Sequence, residues 1–174
     1  LAEARLGAGR GAYNFAYLTV STGVGGGLVL GGRLIDSRNG LAGHVGFTSS
    51  RLSDRLCGSG RTGTVESIAG GRAIAAEAGL ADARAVFEGG RHPEIIERSA
   101  GAVASLIADL ATILGLDRVA VGGSIGFAPG YLPMVIARLA DEPELFRPAV
   151  VPAELGQDSG LVGALLAASE PRDP

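Results

Sequence analysis

The apolar positions in the first part of the chain predict strands separated by glycine-rich turns. A β-rich run from Asn14 to Ser21 precedes the glycine-rich segment 22–27, and Leu28 to Leu30 continues the apolar pattern. Another short run, Arg33 to Asp36, follows the pair Gly31-Gly32. The order strand, glycine loop, strand, turn and strand predicts an antiparallel meander.

The second part of the chain predicts helices that alternate with short strands. Between Glu94 and Leu116, apolar side chains recur at steps of three and four residues, which indicates one long helix with a buried stripe. Strands first, and then helices alternating with strands, give an α/β domain with a mixed sheet. Further helices are predicted at 1–6, 64–78 with a break at Gly70-Gly71, 81–88, 131–140 and 159–169, and further strands at 118–121 and 149–151.

Composition places the 174-residue chain among soluble globular proteins, with 47% hydrophobic and 19% charged residues. A net charge of -3 gives no reason to expect nucleic acid or an anionic membrane as a partner. Cys57 is the single cysteine, so no intrachain disulfide can form. With no apolar run of membrane-spanning length and no signal peptide, we expect a cytoplasmic protein. Because the first residue is Leu1 and not Met, we also expect a piece of something longer.

The segment from Ser21 to Gly27, STGVGGG, carries the strongest local chemical signal. Glycines let backbone N–H groups face an anion without a Cβ in the way, and such nests bind phosphate. The alternative is a glycine-rich hairpin turn with no ligand. A Walker loop is excluded because no Gly-Lys-Ser/Thr follows, and a Rossmann fingerprint is disfavoured because these glycines lie between two strands.

Three other features carry possible chemistry, each with a structural alternative. Gly122-Gly123-Ser124 follows a buried strand, where ligands of open α/β sheets gather, although a tight turn needs glycines too. His44 stands alone among glycines and apolar residues, and a lone histidine is more often structural than functional. Glu66 begins a helix, where the helix dipole favours a carboxylate in any case.

Five segments together make the chain similar to one known family. In this order and spacing they resemble the C-terminal portion of the ROK family sugar kinases, most of all the N-acetylmannosamine kinase branch, from Leu1 to about Ala168. The resemblance implies a lobe of the actin-like, ribonuclease-H-like ATPase fold. It also implies Mg²⁺-dependent transfer of phosphate from ATP to the 6-hydroxyl of N-acetylmannosamine, in amino-sugar or sialic acid breakdown, by a homodimer. The segments are STGVGGG, GLAGHVG, CGSGRTGTVESIAGGRAIAA, RSAGAVASLIADL and VGGSIGFAPGYLP.

By that resemblance, the residues of both substrates can be assigned. ROK glucokinases have a glutamate where this chain has His44, which favours an N-acetylated mannose over glucose. Glu66 matches the acidic residue that binds sugar hydroxyls. The expected sugar-binding residues are His44, Glu66, Asn39 and Gly40, and the expected ATP-binding residues are Ser21, Thr22, Gly23, Val24, Gly25, Gly26 and Gly27 in the second phosphate loop and Gly122, Gly123 and Ser124 at the adenosine pocket.

The zinc motif of the family is disrupted in this chain. Cys57 remains, but Phe47, Ser59 and Thr64 occupy the other three ligand positions. Structural zinc needs about four nitrogen or sulfur ligands, so we predict no zinc and a loop 51–63 held by packing and hydrogen bonds. The family histidine at the position of Phe47 also contacts sugar, which makes the substrate affinity harder to predict.

A second departure concerns catalysis. The family places a DxGGT phosphate loop and an Asn-Asp pair, whose aspartate is the general base, upstream of the position of Leu1. We therefore expect no catalytic residue in this chain, no turnover by it alone, and weak ATP binding. The alternatives are the sugar-sensing lobe of a ROK transcriptional repressor, another ROK hexokinase of the glucokinase type, and a degenerate paralogue.

Overall fold

The computed structural model describes residues 1–169, in which a mixed five-stranded sheet carries helices on both faces. Three 3₁₀ turns, at Val45–Phe47, Glu144–Phe146 and Gly156–Asp158, lie in the connections. The strands and helices, in chain order, are α1 (Ala2–Leu6), β1 (Phe15–Val20), β2 (Val24–Leu30), β3 (Arg33–Leu34), α2 (Glu66–Ala69), α3 (Gly71–Ala78), α4 (Ala83–Gly89), α5 (Pro93–Leu114), β4 (Arg118–Gly122), α6 (Gly123–Gly126), α7 (Tyr131–Leu139), β5 (Ala149–Pro152) and α8 (Ser159–Ser169).

The sheet has the strand order β3-β2-β1-β4-β5. β1 to β3 form the predicted antiparallel meander, and β1, β4 and β5 run parallel to one another. The predicted mixed α/β sheet is therefore confirmed. Because parallel strands end at the same edge, the β1–β2 turn and the β4–α6 turn lie side by side.

The glycine run is partly strand, which differs from the predicted loop. β2 begins at Val24, and Gly25 and Gly27 pair with Thr19 and Tyr17 of β1. The prediction treated glycine as a strand breaker, but a glycine backbone still completes the hydrogen-bond ladder. Only residues 21–23 remain as the turn. The third strand is also shorter than predicted, since β3 ends at Leu34.

Alternating side chains of β1 divide the interior into two unequal parts. Ala16, Leu18 and Val20 face the larger core, which α2, α3, α5 and α7 cover. Phe15 and Tyr17 face a smaller cluster on the opposite side, together with residues next to α1. α8 packs on α1 over that side, with the Gly163 backbone close to Ala2.

The long helix α5 anchors the larger core. It begins at Pro93, whose ring suits the first helical turn, and ends before Gly115 in the left-handed conformation. Tyr131 of α7 is 0% exposed, and its hydroxyl lies 2.7 Å from Ser99 Oγ of α5. Burial raises the pKa of Tyr131, so Tyr131 and Ser99 form an uncharged hydrogen bond between the two helices. Among residues 1–169, no helix combines the length and the apolarity that crossing a membrane requires.

Candidate functional site

Two turns that the sequence singled out meet at one edge of the sheet. Ser21 Oγ of the β1–β2 turn lies 3.0 Å from Ser124 Oγ of the β4–α6 turn, within hydrogen-bond distance. Ser124 is exposed and Ser21 is half-buried. The contact joins residues 103 positions apart, so the fold, and not local sequence, brings them together.

The β1–β2 turn presents unpaired backbone donors. Ser21 N–H donates to Gly23 O at 2.9 Å, which folds the turn tightly. Within residues 1–169, the N–H groups of Thr22 and Gly23 donate to no acceptor, and the Thr22 side chain is exposed. Successive free N–H groups beside hydroxyls form an arrangement that favours an anion.

The first two residues of α3 donate backbone hydrogen bonds to the carbonyl groups of the same turn. Gly71 N–H donates to Ser21 O at 2.7 Å, and Arg72 N–H donates to Thr22 O at 3.1 Å. A Cβ on Gly71 would lie 2.9 Å from Ser21 O, so glycine allows the helix this close approach. The carbonyl groups of Ser21 and Thr22 are thereby satisfied.

Two clefts flank the meeting point of the turns, and both contain Ser21 and Ser124. The large cleft measures about 750 Å³ and lies between β1, β2 and the helices α1 and α8. The helix cleft measures about 350 Å³ and lies between the turns and α3 and α4. The large cleft is lined in part by Tyr17, Thr19, Gly26, Gly27, Gly123 and Ser159, and the helix cleft by Thr22, Gly71, Arg72, Ala75, Ala83 and Ile125.

A third, smaller cavity lies on the other side of Thr22. This loop cleft measures about 230 Å³ and separates residues 55–58 from α3. Thr22 and Arg72 line both the loop cleft and the helix cleft, so the two cavities adjoin at the turn. The loop cleft also contains Gly23, Cys57, Gly58 and Glu66.

The carboxylate of Glu66 binds the glycine segment. Its Oε2 accepts a hydrogen bond from Val24 N–H at 3.1 Å. A Cβ on Gly23 would overlap Glu66 Oε2, and a Cβ on Gly58 would lie 3.5 Å from Oε1. Gly23 therefore makes room for the carboxylate, whereas a Cβ on Gly58 would be in ordinary van der Waals contact with it. Glu66 is the first residue of α2, but its side chain accepts a hydrogen bond from strand β2 and does not cap its own helix.

His44 lies on the outer edge of the same strand. β3 pairs only with Val29 and Leu30, and segment 43–46 covers the rest of β2. A Cβ on Gly46 would overlap Val24 O, so this contact requires glycine. The exposed His44 ring stacks on Phe47, with ring centroids 5.5 Å apart and planes at 29°. Residues 24–27 of β2 are called here the glycine half of β2; Glu66 binds its first residue, and the segment that carries His44 packs against its backbone.

Some of the residues expected at the sites line none of the three clefts. Gly122 is buried at the end of β4, where a Cβ would lie 2.9 Å from Tyr17 Oη, so its glycine is explained by packing. Asn39 Oδ1 accepts a hydrogen bond from Leu41 N–H at 3.2 Å within a local turn. Gly40 has φ +70° in that turn. Asn39, Gly40 and His44 line none of the large, helix and loop clefts.

Three of the four positions at which the resemblance implies zinc ligands, Cys57, Ser59 and Thr64, form a hydrogen-bonded cluster. The Sγ of Cys57 lies 2.9 Å from Ser59 Oγ. Burial raises the pKa of the Cys57 thiol, but hydrogen bonds from the side chains of Ser59 and Thr64 and from nearby backbone lower it further than burial raises it. Phe47 stacks on His44 instead. One thiol, two hydroxyls and a phenyl ring do not supply the donors of tetrahedral zinc.

The loop that carries Cys57 is tied down by isolated bridges and by ion pairs. Ser49 bridges to Thr64, and Leu56 bridges to Thr62. Arg55 Nη1 lies 2.8 Å from Glu77 Oε2 of α3, and Arg98 of α5 pairs with the other oxygen of Glu77. Across residues 1–169, no three His, Cys, Asp or Glu side chains come close enough to hold a metal ion.

Glu3 is an important residue that the sequence did not reveal. It is 2% exposed, and it accepts hydrogen bonds from the N–H groups of Ala8 (2.9 Å), Glu154 (3.1 Å) and Leu155 (2.8 Å) and from the Ser159 hydroxyl (3.2 Å). Burial raises the pKa of Glu3, but these bonds, Leu155 and Ala8 first, lower it below its ordinary value. The carboxylate pins α1 to the start of α8 at the wall of the large cleft. No local pattern signals it, since four partners lie far along the chain or across a turn.

Comparisons with known proteins agree on one family. The model of the ROK family matches residues 1–170. The N-acetylmannosamine kinase of Haemophilus influenzae (strain PittGG) is 46% identical over 160 residues, which cover 87% of this chain and 53% of that protein. The chain spans about half the length of the curated relatives it matches.

Solved structures agree on the fold. The ROK hexokinase from Thermus thermophilus superposes with a TM-score of 0.87 and 32% identity, covering 95% of this chain and 62% of that one. A ROK family glucokinase from Streptomyces griseus, solved in complex with glucose and AMPPNP, superposes with a TM-score of 0.77 and 28% identity, covering 93% and 62%. The predicted actin-like ATPase lobe is confirmed.

Proposed function

This chain belongs to the ROK family, and we propose that the full-length protein transfers the γ-phosphate of ATP to the 6-hydroxyl of N-acetylmannosamine. The observation that carries the proposal is the meeting of the two turns at Ser21 and Ser124. Free N–H groups and hydroxyls gather there between two clefts, as nucleotide phosphates require. The assignment of the sugar rests on the 46% identity to an N-acetylmannosamine kinase.

In this proposal the nucleotide extends from the helix cleft across the β1–β2 turn. The base and ribose occupy the helix cleft, whose apolar wall includes Ala75, Ala83 and Ile125. The phosphates then pass over Thr22, Gly23 and Ser124 toward the glycine half of β2, beside which the sugar would lie. Phosphoryl transfer depends mostly on positioning and on stabilisation of charge, and the amides of the turn supply part of both.

The sugar would lie beside the glycine half of β2. Glu66 offers a carboxylate and His44 an exposed imidazole next to that segment. Groups of this kind pair with sugar hydroxyls, and a site built to pair hydroxyls rejects analogues that lack them. His44 is the residue that we assign to selection of N-acetylmannosamine over glucose.

Mg²⁺ and the general base are the remaining parts of the proposal. Mg²⁺ is held in proteins by one or two carboxylates plus substrate phosphates, and among residues 1–169 no acidic cluster of metal-binding size occurs. Ser21 and Thr22 could orient Mg²⁺ that is bound to the nucleotide, where it would neutralise phosphate charge. The proton of the sugar hydroxyl needs a carboxylate base, which we place in the part of the protein outside this chain. The cytoplasmic location, the homodimer and the role in amino-sugar or sialic acid breakdown belong to the same proposal.

The test is a substrate panel with the full-length protein. ADP release would be followed with N-acetylmannosamine, N-acetylglucosamine, mannose and glucose, each with ATP and Mg²⁺. We expect turnover on N-acetylmannosamine to exceed turnover on glucose. Turnover on glucose with none on N-acetylmannosamine would overturn the substrate assignment. Sugar binding with no transfer to any sugar would favour the sugar-sensing lobe of a repressor.

A change at His44 sharpens this assignment. His44→Glu introduces the residue of ROK glucokinases, so we expect the ratio of kcat/KM for glucose to that for N-acetylmannosamine to rise about tenfold or more. His44 is exposed, so the thermal midpoint should stay close to that of the parent. An unchanged ratio would show that His44 does not select the sugar.

A further inference from the structure

Glu66 lies where the loop cleft meets the nucleotide-binding turn. We propose that its carboxylate couples the two substrates: one oxygen holds the nucleotide turn, and the other is left for a hydroxyl of the sugar. The inference rests on the proposed function, and it adds a role that sugar binding alone would not require. The coupling would make each substrate raise the affinity of the protein for the other.

The first half of the link is the hydrogen bond to β2. Val24 N–H donates to Glu66 Oε2 at 3.1 Å and joins residues 42 positions apart. Val24 directly follows Gly23, whose N–H is one of the two free donors of the turn within residues 1–169. The carboxylate therefore supports the backbone at the point where the nucleotide phosphates would bind.

The second half is the unused oxygen. Among residues 1–169, no donor reaches Glu66 Oε1, which points to the side of Gly58. Glu66 lines the loop cleft together with Thr22 and Gly23. A carboxylate accepts several hydrogen bonds, so Oε1 can bind a sugar hydroxyl while Oε2 keeps its bond to Val24.

The surroundings prevent the two halves from moving independently. A Cβ on Gly23 would overlap Oε2, and a Cβ on Gly46 would overlap Val24 O. Close packing transmits displacement, because a packed backbone cannot absorb it locally. A sugar that orders the Glu66 carboxylate therefore orders residues 23–24 as well, and by thermodynamic linkage the effect is reciprocal.

The experiment measures nucleotide affinity of the full-length protein with and without sugar. AMPPNP binding would be titrated by calorimetry in the parent and in three variants, with saturating N-acetylmannosamine and without it. For the parent, we expect sugar to raise the AMPPNP affinity by about fivefold or more. The thermal midpoint of each variant would show whether it is folded.

Each variant has a distinct expected result. Glu66→Ala should lower AMPPNP affinity about tenfold even without sugar, since it removes the support of Val24, and it should abolish the effect of sugar. Glu66→Gln keeps an acceptor for Val24 N–H, so it should lose much less affinity without sugar. Gly89→Ala is the control, because a Cβ there meets no described atom within 4 Å.

The outcomes separate this inference from the proposed function. If the parent phosphorylates N-acetylmannosamine but Glu66→Ala binds AMPPNP as tightly as the parent without sugar, the coupling role is overturned and the kinase stands. If sugar does not change AMPPNP affinity in an active parent, the coupling is likewise overturned. If no sugar is phosphorylated, the proposed function fails, whereas the support of the turn is still judged by the parent and Glu66→Ala titrations without sugar.

Discussion

The glycine half of β2 and the loop 51–63 lie close together but are held in different ways. Backbone packs on backbone at Gly46 and Val24, with no space for a Cβ. The loop, in contrast, adds side chains to its backbone bridges: the Cys57 cluster and the pairing of Arg55 with Glu77. The first arrangement depends on the absence of a Cβ where two backbones meet, while the second combines backbone bridges with side-chain hydrogen bonds and an ion pair. A substitution for Gly46 would therefore displace backbone, whereas a substitution in the Cys57 cluster would leave the backbone bridges of the loop in place.

The largest effect is expected from a substitution that breaks the backbone contact between Gly46 and Val24. Gly46→Ala places a Cβ against Val24 O, which a packed strand cannot accommodate without moving. We expect a loss of about 3 kcal/mol in the free energy of unfolding, measured by urea denaturation. Gly25→Ala is the matched change within β2, because its Cβ would be 3.5 Å from Thr19 Cγ2. Equal losses in both variants would contradict the role of the close contact.

The next largest loss of stability is expected from a change to the buried side chain of Glu3. Glu3→Gln replaces one acceptor oxygen with an NH₂ group, which would then face N–H donors where α1 meets α8. We expect a loss of about 2 kcal/mol in the free energy of unfolding near pH 7. The folded pKa of Glu3 lies below its ordinary value. The carboxylate therefore stabilises the fold above the unfolded pKa, and this contribution is lost as the pH falls through the folded pKa.

Urea denaturation of the parent and Glu3→Gln at several pH values tests this sign. The stability difference between the two proteins should shrink as the pH is lowered, because the parent then carries a neutral side chain as well. A difference that stays constant from neutral pH to acid would show that ionisation of Glu3 is not what the junction uses.

The side-chain hydrogen bonds of the loop 51–63 should contribute less to the free energy of unfolding. Cys57→Ala removes the hydrogen bonds around the thiol and should cost about 1 kcal/mol, with faster amide hydrogen exchange confined to residues 49–64. Cys57→Ser retains a hydroxyl and should recover part of the loss. If both variants exchange like the parent, the cluster does not hold the loop.

The smallest expected effect is that of a chelator. Because the four family positions carry Phe47, Cys57, Ser59 and Thr64, EDTA should leave the thermal midpoint of the protein unchanged. A clear fall in the midpoint that added zinc reverses would show a metal site that these residues do not provide.

Much of the architecture could be predicted from local patterns. Alternation in β1, the helical period of α5 and the break at Gly70-Gly71 place these elements within one or two residues of their positions in the structure. The order of strands and helices predicted the mixed sheet. The start of β2 at Val24 was missed, because local preference counts glycine against a strand while pairing with β1 decides the matter.

Local sequence patterns therefore predicted the α/β class, the order of helices and strands, and the positions of the two glycine turns, for which anion binding stays a prediction. The tertiary structure added the contact of Ser21 with Ser124, the hydrogen bond from Val24 to Glu66, and the burial of Glu3 among donors that include the distant residues Leu155 and Ser159. The reason is physical: periodicity and turn preference act over a few neighbouring residues, whereas these contacts join residues separated by 103, 42 and up to 156 positions. Such contacts form only when the packed sheet and helices bring the residues together.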